Sequence, residues 1–499
     1  MEEIKDLIKI VTDNTKRNLP LLDLRNQHLN GNKEMNLFLG IKSGEFNDDV
    51  EASNGIYGSE EVDFKFRMLK SRLSRKLLNH LFFMDFSSKS FTKAANLYQE
   101  ALDYMHFSKM LLNIEETKLG TKLLYKTIDL ARECEYTVVV IDSLRALREV
   151  YAKTYRPKLF QSIKIQIEEY EALERSEEKA DAIFQENRLA INSTVNNIKK
   201  SFEPYLRAIE ELEALYRKTN SYNIFEKYFK IKVWYYELKG DFDNVLKVIG
   251  DVQKEHDKGN INQRRFDNLF ADFAKGNALI KLKRFEDGSI FLEKMLNEID
   301  NTSKEWYAFA EKYVMLYIQN KQFDRASEIF LRVANNKSFD KLEEIDLLRW
   351  NIFRSYLYYL TGNKKIIKKF DFRDFIEETP GFLKENAGYH VAILILQILN
   401  GADGDLSKLH YKLDAIDEYV NRYLNNSFSK RSKTFCKLLH KIAIHNRDFD
   451  TIVFKSKYLK EKLFESDVAG ESFVDFEVVP YEFLWEIVLD GVKNFKKSA

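Results

Sequence analysis

Two histidines, His440 and His445, stand five positions apart. On a helix that separation turns the imidazoles about 140° from one another, so they do not share a metal ion. No HExxH pair occurs among the 8 histidines. Leu119-Gly120-Thr121-Lys122 has no upstream glycine at the spacing of a phosphate loop, and no GxGxxG is present. Gly401-Ala402-Asp403-Gly404-Asp405 has the acid density of a calcium loop. Its glycine falls between the aspartates, however, and Ser407, Leu409 and Tyr411 are poor ligands downstream, so a polar turn between helices is expected. Glu168-Glu169, Glu177-Glu178 and Glu210-Glu211 could hold an acid and a base, but such pairs on long helices ordinarily form solvated faces supported by basic residues four positions away. Cys134 and Cys436 are too far apart in sequence to form a CxxC motif, which argues against zinc and for a reducing compartment. No catalytic, cofactor or metal site is expected.

Two basic runs suit phosphate contact. Arg67, Lys70, Arg72, Arg75 and Lys76 share one segment, and Lys430, Arg431, Lys433 and Lys437 surround Phe435. Globally, 79 Lys and Arg against 78 Asp and Glu leave no net attraction for nucleic acid or an anionic bilayer. The start is acidic where a secretory signal is basic, and the most apolar stretch, Val391 to Leu399, is far shorter than the ~18 residues of a membrane span. A soluble, cytoplasmic chain is expected, without a membrane partner.

The elements that carry these residues read as helices. Only 5 prolines and 18 glycines punctuate 499 residues, too few for a sandwich or barrel. The 38 phenylalanines and 26 tyrosines supply rings to wedge between helices. Residues 1–60 are the least regular, with an amphipathic start (Ile4, Leu7, Ile8, Val11), a loop over His28–Met35 and a mobile connection over Gly44–Glu60. Asp63 opens a helical run. Helix pairs are expected over 61–156, where Val138-Val139-Val140 belongs to a helix because the flanking periodicity is helical. Pro157 starts a long-helix segment over 157–220, with Val195, Ile198, Phe202, Tyr205, Ile209, Leu212 and Tyr216 as a seam and Pro204 marking a kink or a fresh start. Repeats occupy 221–336, and degenerate pairs fill 337–499.

Those repeats align on an aromatic after a short polar turn: Lys239-Gly240-Asp241-Phe242, Leu282-Lys283-Arg284-Phe285 and Asn320-Lys321-Gln322-Phe323. Tyr317, Phe323, Ala326, Phe330 and Val333, then Gly276, Phe285, Gly288, Leu292 and Met295, resemble the tetratricopeptide repeat (TPR), and Phe91, Ala94, Tyr98 and Ala101 are similar to its second helix. With its long middle helices and the closing Tyr481-Glu482-Phe483-Leu484-Trp485 segment, the whole chain is also similar to a group of bacterial TPR-like proteins to which no activity is assigned. The resemblance implies an all-α, TPR-like α-solenoid of antiparallel helix pairs. It further implies a non-enzymatic scaffold that binds a peptide or protein on its concave face, with first helices inside. In that register the inward row is Lys230, Trp234, Phe273, Asn277, Lys281, Glu311, Met315 and Tyr356. The rival expectation is a nucleic-acid-associated regulator using the basic runs.

Overall fold

Apolar residues at intervals of three and four run through nearly every segment, and each such segment is a helix in the computed structural model. The structure describes residues 1–14, 32–81, 93–192, 202–368, 430–445, 448–465 and 477–498, with scattered positions between 370 and 399. Among them there is no strand, and the fold is all-α. The chain divides into two compact units, Met1–Glu100 and Ala101–Ala499.

The first unit packs α1 (Glu2–Asn14), α2 (Lys33–Ser43), α3 (Asp49–Tyr57) and α4 (Phe64–His80) around Ile4, Val11, Leu37, Phe38, Phe66 and Leu73. The expectation of a mobile connection over Gly44–Glu60 is corrected by α3. Asp48 caps that helix by accepting from the Val50 and Glu51 amides (2.9 and 2.8 Å). The ring of Phe46 fills the space at Gly40 and Gly55, where any β-carbon would collide with it. The loop expected over His28–Met35 gives way at Lys33 to α2, whose amides Asn32 caps; residues 28–31 lie outside the described residues. Asp63 does open α4, with Oδ1 accepting from the Phe66 amide at 2.8 Å.

The helix α5 (Lys93–Asn113) spans the division between the units, and the second unit continues with α6 (Thr117–Glu133), α7 (Thr137–Lys153), α8 (Pro157–Asn192) and α9 (Glu203–Thr219). Val138–Val140 lie within α7. Among the described residues the long-helix segment holds α8, of 36 residues, and α9, of 17; Val195 and Ile198 of the expected seam lie outside the described residues. Pro204 sits in the first turn of α9, which settles the choice between kink and fresh start in favour of a start. Next come α10 (Tyr222–Lys239), α11 (Phe242–Asp257), α12 (Asn268–Lys281), α13 (Phe285–Glu298), α14 (Lys304–Gln319), α15 (Phe323–Ala334) and α16 (Glu344–Thr361). The chain closes with α17 (Lys430–Ile444), α18 (Phe449–Glu465) and α19 (Tyr481–Ser498). From α6 to α16 each helix packs on the next, as do α17, α18 and α19, while α8 also packs on α10 and α12 on α14. The Gly401–Asp405 segment lies outside the described residues.

Six of the turns share one backbone solution. Glu115, Glu135, Tyr155, Gly240, Lys283 and Lys321 all have positive φ, between 54° and 72°. In each case the next residue's amide bonds back to a carbonyl five positions earlier, as from Glu116 to Leu111 and Gln322 to Tyr317 (both 2.9 Å). A new helix begins at once. Five of the six positions hold side chains other than glycine, each at a conformational cost of about 1 kcal/mol.

Candidate partner-binding site

Side-chain caps fix where the helices α10, α12 and α14 begin. Ser221 accepts from the Asn223 amide (3.1 Å), Asp267 from Leu269 (2.9 Å) and Ser303 from Trp306 (3.2 Å). Each helix then leaves one stripe only partly covered. On α12 this stripe is Phe270, Phe273 and Lys281, with Phe266 just before the helix, and on α14 it is Glu305, Ala308, Lys312 and Met315. A cavity of about 350 Å³ opens between these helices, walled by Phe225, Phe229, Phe270, Phe273 and Phe309. Glu226, Lys230, Arg265, Asp267 and Glu305 bring charge to the same lining.

The rim is held from several sides. Lys230 pairs with Glu226 at 2.6 Å and lies over the Phe270 ring at 5.8 Å. Burial raises the Glu226 carboxyl pKa, but the Lys230 charge and hydrogen bond, with Arg265 and Lys227, outweigh it and leave the group below the ordinary range. Arg265 is sandwiched between the Tyr136 and Tyr222 rings (5.0 and 4.7 Å) and donates to the Cys134 and Glu135 carbonyls and to Asn223. Glu135 in turn accepts from the Tyr222 amide at 2.6 Å and from Asn262 at 2.8 Å. Behind them, buried Glu177 accepts from Ser221 Oγ (2.6 Å) and Thr137 Oγ1 (3.0 Å), so α8 fixes the start of α10. The α6–α7 turn thereby buttresses the mouth of a cavity whose walls are formed much later in the chain.

Further along the same face the chemistry becomes polar. Asn277 is buried and donates to Glu237 at 3.1 Å. Burial holds the Glu237 carboxyl above its ordinary range, with the Asn277 hydrogen bond and the Lys312 and Lys281 charges pulling the other way. Glu311 is buried and pairs with Arg349 of α16 at 2.7 Å. Lys312 is half-buried, and its ammonium lies 5.1 Å over the Phe273 ring. Burial drives the Lys312 pKa down; Glu311 opposes the shift, and Arg349 and Lys281 add to it.

The inward row expected from the sequence is therefore only partly open. Lys230, Lys281 and Met315 are half-buried, and Phe273 is 38% exposed. Trp234 stacks on Phe184 of α8 at 5.3 Å and meets Phe270 edge-on at 6.4 Å. Asn277, Glu311 and Tyr356 are closed off, which corrects their placement on an accessible row. Tyr356 is 2% exposed and donates to the Ala392 carbonyl at 3.0 Å. Glu311 lies four residues before Met315 and Lys312 three; the helix turns Lys312 to the face and Glu311 toward Arg349. The signal for Lys312, Phe270 and Phe309 was present in the i, i+3, i+4 spacing of the aromatics, but nothing local distinguishes 311 from 312.

No family model, curated protein or solved structure matches this chain. The geometry alone bears on function. Among the described residues no cluster of His, Cys, Asp or Glu is arranged to hold a metal, and no helix is long and apolar enough to cross a membrane. Both cysteines are buried, and they form no disulfide with each other. The two basic runs are partly engaged within the fold. Lys70 pairs with Asp49 (2.7 Å), Arg72 and Lys76 with Glu34, and Arg67 donates to the Val62 carbonyl. Arg75 stays exposed. In the second run Arg431 and Phe435 are buried, Lys433 is half-buried and Lys437 is exposed, so the expectation of a basic face spanning that run is corrected.

Proposed function

We propose that this chain is a TPR-like, non-enzymatic adaptor in the cytoplasm that holds a segment of another protein against the concave face formed by α10, α12 and α14. The observation that carries this reading is the aromatic-walled cavity of about 350 Å³ with charged groups in its lining. An apolar recess with a few placed polar groups is the usual form of a site that takes one large side chain and orients what surrounds it. The exposed Phe273 beside the cavity adds a ring that solvent otherwise wets. The engagement of the basic runs with internal acids favours a protein partner over nucleic acid.

A photo-crosslinking amino acid at position 273, in cells that naturally make the protein, tests the reading. It should trap a discrete protein partner that the same group at Ile290 of α13, itself 74% exposed, does not. Phe270→Glu, which puts a charge into the cavity wall, should abolish the product. Equal trapping at both positions, or none at 273, sinks the proposal.

A further inference from the structure

Two lysines on the α10–α12–α14 face lie over phenylalanine rings of α12, and they differ in one respect. Lys230, over Phe270, has a carboxylate partner in Glu226 at 2.6 Å. Lys312, over Phe273, has no carboxylate or other hydrogen-bond acceptor at Nζ among the described residues. The nearby acids are already engaged, Glu311 by Arg349 at 2.7 Å and Glu237 by Asn277 at 3.1 Å. Lys281 and Arg349 add like charge around the same ammonium. A half-buried cation with aromatic support on one side, two cations nearby and, among the described residues, no anion paired at Nζ can take one more negative group.

Its position says what carries that group. Phe309 lines the cavity and Lys312 follows it one helical turn along α14, about 5 Å away. Phe273 joins the two, meeting Phe309 edge-on at 5.8 Å while its ring faces Lys312. An extended chain advances about 3.3 Å per residue, so a carboxylate one or two positions from an apolar side chain reaches Lys312 while that side chain fills the cavity. We propose that this face recognises an acidic protein segment at two points, a large apolar side chain in the aromatic cavity and an Asp or Glu carboxylate on Lys312. The inference rests on the reading of this face as a docking surface and adds the chemistry of its partner.

The test is selection of random peptides displayed against the full chain. Selected peptides should carry Asp or Glu within two positions of a Phe, Trp, Leu or Met. Their affinity should fall on the order of tenfold for Lys312→Met, and by a similar factor when the peptide's acid is changed to its amide; the two losses should not add, since each removes the same contact. Lys230→Met, whose ammonium has an internal partner, should have a smaller effect. The amide substitution is made in the peptide, so it keeps the test valid should Lys312→Met fail to fold. Peptides that lose affinity with Phe270→Ala yet show no acid enrichment and ignore Lys312→Met would overturn this inference and leave the docking face standing. Peptides indifferent to both substitutions, or no selected peptide at all, would overturn both.

Discussion

At Lys312 the proposed contact with an anion is set against the stability of the chain. A partly desolvated ammonium without a paired anion destabilises the chain that holds it, and an unbranched apolar side chain of similar length removes the penalty. Lys312→Met is therefore expected to raise the unfolding free energy by about 1–2 kcal/mol near neutral pH. The penalty depends on pH. The folded-state value lies below the 10.5 of an exposed lysine, so the penalty is greatest below the folded value and is lost as pH rises from there toward 10.5. Urea titrations of both proteins across that range should show the variant's advantage shrinking as pH rises; an advantage that grows would reverse the argument. The sequence displayed the neighbouring Phe273 and Met315 at helical spacing, but it could not say that Glu311 turns to Arg349 while Lys312 stays on the face. That choice depends on α16, which begins more than thirty residues later.

Among the elements, the three closing helices depend on one side chain. Arg431 of α17 donates to Glu477 (2.9 and 3.1 Å), to Glu482 of α19 (2.7 Å) and to the Leu463 carbonyl of α18 (3.0 Å). Glu477 also accepts from the Tyr481 amide at 2.8 Å, at the first turn of α19. Burial opposes the Arg431 charge, but the two carboxylates outweigh it and hold the pKa above the usual arginine value. Arg431→Ala leaves two largely buried carboxylates without their cation, an expected loss of about 3–5 kcal/mol by denaturant titration. A change under 1 kcal/mol would show that the helices are held by their apolar contacts alone. Nothing near Arg431 in sequence marks it as buried, because its partners lie 46 and 51 positions away. Local signals were legible by comparison. Asp63, Pro157 and Pro204 stand at helix starts, and the Lys239–Asp243 and Leu282–Glu286 turns fall between helices. The helix α3 was hidden because its nine residues carry little apolar periodicity and gain their place from packing near Phe46.

At the scale of the second unit, most helix contacts join neighbours in sequence. Stability is then expected to be assembled from local terms, so damage should stay local. Leu292, fully buried on α13, tests this: Leu292→Ala should cost about 2–5 kcal/mol locally and speed amide exchange in α12–α15 while leaving α6 and α7 unchanged. Uniform acceleration across the unit would mean that it unfolds as one body. The all-helical fold was readable because helical periodicity is a local property repeated along the chain; the site was not, since its cavity joins rings from separate helices. The six left-handed turns carry a different implication. Their hydrogen bonds run from amide to carbonyl, and the pivotal residue can be glutamate, tyrosine, lysine or glycine. A joint that makes so little demand on side-chain identity can be copied or deleted with the helix beside it and close again in the same way. Such a chain can gain or lose whole helices with no change in the design of its joints.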